Sequence, residues 1–122
     1  MKIVTAIDSF KGSMTSMEAG RAVAEGIHRA DAGAEVLVIP LADGGEGTVE
    51  ALTSGMNGSR QQVQVTGPLG TPVICEYGII EASGTAVIEM AGAAGITLVP
   101  DEKRNPLYTT TYGVGEVIRD AI

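Results

Sequence analysis

The stretch that most constrains the fold places three glycines within four positions, between an apolar segment and a helix-forming segment. Residues 36–39 form an apolar run typical of a buried strand, and residues 48–56 show helical spacing. Glycine between them lets the backbone adopt positive φ and lets another molecule approach the main chain closely. The pattern therefore predicts a strand–loop–helix unit whose loop is residues 43–48.

Two readings of this glycine loop stay open. The N–H groups at the start of the helix attract an anion, and the carboxylates of Asp43 and Glu46 suit a metal ion, so magnesium carrying a nucleotide phosphate would satisfy both. Alternatively, the loop is only a tight turn, with Thr48 or Asp43 as the helix cap and Glu46 placed favourably at the positive end of the helix dipole.

The first half of the chain alternates strands and helices. Residues 2–7 are predicted as a first strand buried on both faces, and residues 35–39 as a second strand. Between them, Thr15 and Glu18 have the spacing of a capping box at the start of an amphipathic helix. A β-α-β-α order implies parallel strands with helices packed on the sheet.

Ligands of such sheets bind beyond the carboxyl ends of the strands. A second polar loop, residues 8–13, follows the first strand, just as the glycine loop follows the second. If the two strands are neighbours, both loops face one site.

The pattern changes near residue 61. Residues 62–66, 73–80 and 85–90 are predicted as strands, and their short connections indicate an antiparallel meander. Residues 91–95 are predicted as a close-packed helical turn. We therefore expect two units, residues 1–60 and residues 61–122, each only the start of an α/β domain.

A last helix is predicted from about Val114, with an apolar stripe that includes Val117 and Ile118. We expect it to run to Ile122 without a cap, as in a truncated larger protein, and its open stripe favours self-association, for example as a homodimer. The hydroxyls and glycines before it would hold an anion or would serve only as a cap and for packing. The residues concerned are Thr110, Thr111 and Gly113.

Composition excludes several classes of protein. The net charge is −7 and there is no basic patch, so nucleic-acid binding is not expected. The single cysteine, Cys75, is predicted as a small core residue, and its lack of a partner indicates a reducing, cytoplasmic compartment. No apolar run reaches transmembrane length, so no membrane association is expected. The single histidine, His28, lies off the helical stripe and is predicted to be solvated.

Phosphoryl transfer is the chemistry that the polar loops fit best. It needs a cation near the transferred group, carboxylates for magnesium and backbone donors for the equatorial oxygens. Lys11 supplies a cation, and Asp43 either binds the metal or accepts the substrate proton. The P-loop pattern and the G-x-G-x-x-G pattern after the first strand are both absent from the sequence.

Five motifs follow one another along the chain: DSFKGS at 8–13, LADGGEGT at 41–48, VTGPLG at 65–70, VIEMA at 87–91, and RNPL at 104–107 with TTTYGVGE at 109–116. In the order and spacing of these motifs the chain resembles the glycerate kinase family. The resemblance implies an enzyme that transfers the γ-phosphoryl group of ATP, with Mg²⁺, to D-glycerate, giving 2-phosphoglycerate in organic acid or glyoxylate catabolism.

The resemblance also implies two α/β domains, one Rossmann-like and one inserted, with the active site in the cleft between them. It implies that these 122 residues alone would not catalyse efficiently, because a later glycine-rich motif of the family is absent. As catalytic residues we expect Asp8, Lys11 and Asp43, with Asp43 also as the metal ligand. As substrate- or phosphate-binding residues we expect Ser9, Gly12, Ser13, Gly44, Gly45, Glu46, Gly47, Thr48, Thr110, Thr111 and Gly113.

Two other readings stay open beside the kinase. The chain could be a non-catalytic α/β module that binds a small anion or a nucleotide phosphate, or an assembly unit that binds no ligand. A longer reading frame beyond Ile122 favours the kinase, and a natural stop there favours the other two.

Overall fold

The computed structural model describes residues 1–10 and 13–122, which form two small sheets with helices packed on them. The elements are β1 (Lys2–Ile7), α1 (Ser16–Ala30), β2 (Glu35–Pro40), α2 (Thr48–Gly55), β3 (Ser59–Thr66), β4 (Pro72–Ile80), β5 (Thr85–Val87), α3 (Met90–Ala94) and α4 (Tyr112–Asp120). Single turns of 3₁₀ helix at Ile96–Leu98, Asp101–Lys103 and Pro106–Tyr108 connect α3 to α4.

The first sheet pairs β1 and β2 in parallel, in the register Ile3↔Val36. The crossover helix α1 begins as predicted with a capping box, in which the Glu18 N–H donates to the Thr15 hydroxyl at 3.2 Å. The Thr15 N–H donates in return to the Glu18 carboxylate at 2.8 Å. The predicted β-α-β start and its parallel pairing are thus confirmed.

The prediction that β1 is buried on both faces is wrong. Helix α1 packs closely on one face, where a Cβ added to Gly20 would collide with the Val38 side chain. On the other face the side chains of Val4 and Leu37 are 53% and 46% exposed. The reason is that α1 covers only one face of the strand pair.

The second sheet is the predicted antiparallel meander, in the order β3-β4-β5 with Val63 opposite Cys75. Its third strand is shorter than predicted: β5 ends at Val87, and Met90 already begins α3.

Helix α2 joins the two sheets. It follows β2 in sequence but packs mainly on β4 and β5, and Val49 forms an apolar cluster with Ile80 and Val87. Thr53 is 2% exposed and lies against Gly78, which has no side chain to exclude it. The expectation that both helices pack on the parallel sheet is therefore confirmed for α1, whereas α2 packs mainly on the second sheet.

The main core lies between the second sheet and helices α3 and α4 and includes Cys75, Tyr77 and Val117. Cys75 is 1% exposed, as predicted for a core residue. Burial of its thiol raises the thiol pKa, and the negative charge of the nearby Glu89 raises it further. The expectation of an open stripe on α4 is wrong for Val117, which is fully buried, and holds for Ile118, which is 48% exposed.

Helix α4 begins two residues before the predicted start, at Tyr112, and ends at Asp120, before the predicted end at the last residue. The predicted exposure of His28 is confirmed, although its Nε2 lies 3.1 Å from the Ala34 carbonyl. Among the residues that the structure describes, none of the helices has the length and apolar character needed to cross a membrane.

Candidate active site

A cavity of about 220 Å³ lies at the carboxyl ends of β1 and β2. Residues of both polar loops line it, because the strands that precede the loops are neighbours in parallel. The predicted site residues along its wall are Ser9, Ser13, Glu46 and Gly47. The start of α1 and the first turn of α2 complete the wall.

The hydroxyl of Ser16, on the first turn of α1, ties the two strand ends together. It donates to the Ile7 carbonyl and accepts from the Leu41 N–H at 2.9 Å. Ser16 is only 8% exposed, so these bonds satisfy a buried hydroxyl. Sequence reasoning missed this residue, since a serine after a helix cap gives no sign of partners elsewhere in the chain.

The glycine loop has the backbone conformation that its glycines permit. Gly44 and Gly47 have φ of 97° and 91°, in the left-handed region that side chains rarely adopt. Asp43 accepts a hydrogen bond from the Gly45 N–H at 3.0 Å, and the Thr48 hydroxyl donates to the Gly45 carbonyl at 2.8 Å. These bonds stabilise the turn from within.

Neither predicted cap residue caps α2. The N-cap is Gly47, which has no side chain to accept a hydrogen bond. The carboxylate of Glu89 takes that role instead, accepting from the Val49 N–H at 3.1 Å. One of the N–H groups expected to attract an anion therefore already has an internal anionic partner. Glu89 was not among the predicted site residues.

The loop after β1 is described only in part. The carboxylate of Asp8 accepts from the Ser9 N–H at 2.7 Å, and the Phe10 N–H donates to the Met14 carbonyl at 2.9 Å. Lys11 and Gly12, predicted as the catalytic cation and a phosphate-binding residue, lie outside the described residues.

The predicted residues near α4 are placed apart from the two loops. The Thr110 N–H donates to the Pro68 carbonyl at 3.0 Å, and Thr111 is the N-cap of α4 without a side-chain cap bond. A Cβ on Gly113 would collide with the Thr66 carbonyl, so this glycine allows α4 to pack closely on β3. None of these three residues lines the cavity between the loops.

A carboxylate also joins α4 to the end of β3. Glu116 accepts from the Thr66 N–H at 2.6 Å, and this hydrogen bond lowers the pKa of the Glu116 carboxyl. Together with the close contact at Gly113, it gives the start of α4 a packing role.

The described residues supply a limited set of metal ligands. Among them, no group of three or more histidine, cysteine, aspartate or glutamate side chains is arranged to hold a metal ion. Magnesium often takes only one or two protein carboxylates and fills its shell with phosphate oxygens and water. The exposed carboxylate of Asp43 could serve as one such ligand, since only one of its oxygens accepts a hydrogen bond from the Gly45 N–H.

Comparison with known proteins identifies the family. A model described as the glycerate kinase family matches residues 3–122, nearly the whole chain. The chain belongs to the glycerate kinase family.

Named relatives agree with this assignment. The chain is 52% identical over 120 residues to a glycerate kinase of Halalkalibacterium halodurans, and 47% identical over 122 residues to a glycerate 2-kinase of Escherichia coli K12. These matches cover 98% and 100% of this chain but 32% of each relative. The chain thus spans about a third of the length of the relatives it matches.

A crystal structure from Salmonella typhimurium LT2, of a protein assigned as glycerate kinase 2, has the same fold over this region. It superposes with a TM-score of 0.77 at 47% identity, covering 99% of this chain and 33% of the Salmonella protein.

Proposed function

We propose that this chain contributes one wall of the active site of an ATP-dependent kinase that phosphorylates a hydroxyl of D-glycerate. The observation that carries the proposal is the cavity shared by the two polar loops at adjacent parallel strand ends, in a chain of the glycerate kinase family. The name of the Escherichia coli relative, glycerate 2-kinase, supports 2-phosphoglycerate as the product. Such a reaction belongs in organic acid or glyoxylate catabolism in the cytoplasm.

In this proposal the loops bind and orient the reacting groups. Ser9, which lines the cavity, binds the substrate or a phosphate, and Asp8 and Lys11 of the same loop are the proposed catalytic residues, with Lys11 as the cation for the transferred phosphoryl group. The glycine loop offers backbone N–H groups to phosphate oxygens, while Asp43 ligates magnesium or accepts the proton of the substrate hydroxyl. Magnesium, when bound, would neutralise the charge that develops on the phosphate oxygens.

The domain division is part of the proposal. Residues 1–60 begin a Rossmann-like domain, and residues 61–122 begin a second α/β domain inserted in it. The packing of α2 on β4 and β5 then forms the contact where the two meet. A cleft beside this contact is where a two-domain kinase would close on its substrates. A homodimer is a further part of the proposal.

The experiment is a ³¹P NMR assay of the full-length protein with D-glycerate, ATP and Mg²⁺. The proposal predicts ADP together with the resonance of 2-phosphoglycerate, and no product when L-glycerate replaces D-glycerate. A 3-phosphoglycerate resonance would refute the assigned hydroxyl. Absence of any phosphorylated product from a well-folded protein would refute the kinase and leave the binding module, which titration calorimetry with glycerate and ATP then tests.

A further inference from the structure

The glycine loop is held at both ends by side chains from other parts of the chain. Two residues before the loop, the Leu41 N–H donates to the Ser16 hydroxyl on α1. At its end, the Val49 N–H donates to the Glu89 carboxylate, which lies 40 residues further along the chain. Between these two points the loop turns through Gly44 and Gly47 in the left-handed conformation.

The structure of the loop explains why an external carboxylate is needed. A helix leaves its first N–H groups without partners, and an N-cap side chain normally satisfies one of them. Gly47 stands at the N-cap of α2 and has no side chain. The residue that gives the loop its backbone freedom thus also removes the local cap, and Glu89 replaces that cap.

The carboxylate of Glu89 is well placed to act as a fixed support. Its backbone lies between β5 and α3, immediately after Val87 and Ile88. Val87 is 8% exposed and packs with Val49, which is 4% exposed, in one apolar cluster. The hydrogen bond beside this cluster is partly buried, and its acceptor is charged, which makes such a bond stronger than one between neutral groups.

We propose that Glu89 is a positioning residue for the glycine loop: its carboxylate fixes the start of α2 and so couples the loop to the antiparallel sheet. Glu89 does not line the cavity at the strand ends, so it acts through the Val49 N–H and not on the substrate. The consequence for catalysis rests on the proposed kinase function, whereas the consequence for the loop backbone does not.

The test compares three variants of the full-length protein. Glu89→Ala removes the acceptor, and Glu89→Gln keeps a neutral one in its place. Glu116→Ala is the matched control, because Glu116 also accepts from a distant backbone N–H, that of Thr66, but at the start of α4. The first measurement is amide hydrogen exchange at residues 49–51, which needs no activity.

We expect Glu89→Ala to raise exchange at residues 49–51 roughly tenfold, since a lost hydrogen bond to a charged group has about this effect on local opening. Glu89→Gln should restore most of the protection, and Glu116→Ala should leave these amides unchanged. Unchanged exchange in Glu89→Ala, or an equal rise in Glu116→Ala, would overturn the inference.

Kinetics of the same variants give the second readout. Displacement of a binding loop raises KM for ATP or D-glycerate, whereas a smaller folded fraction lowers only the apparent kcat. We expect kcat/KM of Glu89→Ala to fall roughly tenfold, with a rise in KM. Unchanged KM values in an active protein would overturn the catalytic part of the inference. If the wild-type protein shows no turnover at all, the proposed function fails, and hydrogen exchange alone decides the role of Glu89.

Discussion

The backbone N–H of Leu41 donates a hydrogen bond of 2.9 Å to the hydroxyl of Ser16, a residue 25 positions earlier. The same hydroxyl donates to the Ile7 carbonyl, so one buried serine joins the ends of both parallel strands. The two polar loops leave the sheet near these points, so Ser16 adds a link between strand ends that already pair through Ile7 and Pro40.

Replacement of Ser16 by alanine is expected to lower the free energy of unfolding by roughly 1–2 kcal/mol, because it removes two partly buried hydrogen bonds and leaves the Ile7 carbonyl and the Leu41 N–H only their bond to each other at 3.3 Å. Urea titration of the full-length variant measures this change. The control is Ser54→Ala, at an exposed position on α2, which should change stability by less than about 0.5 kcal/mol. Equal effects of the two substitutions would contradict the bridging role of Ser16.

Gly113 and Gly115 of α4 should respond in opposite ways to alanine. A Cβ at Gly113 would collide with the Thr66 carbonyl, a backbone atom that cannot rotate away, so we expect a loss of roughly 1–3 kcal/mol. A Cβ at Gly115 meets nothing within 4 Å, and alanine there should be neutral or stabilising by up to about 1 kcal/mol. Urea titration of both variants measures the free energy of unfolding. No loss of stability in Gly113→Ala would contradict the packing role of Gly113.

Acid stability should depend on Glu116. The hydrogen bond from the Thr66 N–H lowers the pKa of this carboxyl in the folded protein below its ordinary value. Its contribution to stability is therefore present above the unfolded pKa, near 4.3, and is lost as the pH falls through the lower folded value.

The melting temperature of Glu116→Gln should accordingly lie furthest below that of the wild-type protein at pH 7. This difference in melting temperature should shrink as the pH falls from about 5 towards 3. Glu102→Gln, at an exposed position in the turn Asp101–Lys103, removes the same charge and serves as the control. A difference in melting temperature for Glu116→Gln that grows as the pH falls would contradict the stabilising role of the Glu116 carboxylate.

Features encoded in short windows could be predicted from the sequence. The capping box of Thr15 and Glu18 follows from a spacing of three residues, and the meander follows from short connections between strands. The parallel direction of β1 and β2 follows from the alternation of strands and helices. The faces of β1 could not be assigned in this way, because Ile3 and Val4 are both apolar while only one face lies under α1.

Contacts between distant segments left no signal in the sequence. The partners of Glu89 and Glu116 are backbone N–H groups, which every residue except proline carries, so no residue type marks them in advance. The hydroxyls and glycines at the start of α4 left two readings open, an anion site or a cap with close packing. The contact of Gly113 with Thr66 supports the packing reading, and the anion site stays a prediction.

The proposed function assigns phosphoryl transfer to D-glycerate to residues of the two polar loops. The most direct measurement is a coupled assay of ADP formation by the full-length protein and its Asp43→Asn and Lys11→Ala variants, each first shown to be folded by circular dichroism. Asp101→Asn and Lys103→Ala, at exposed positions of a 3₁₀ turn, are the matched controls. We expect D-glycerate-dependent turnover that falls at least about a hundredfold in both loop variants and stays unchanged in both controls. A folded wild-type protein without such turnover, or loop variants as active as the controls, would contradict it.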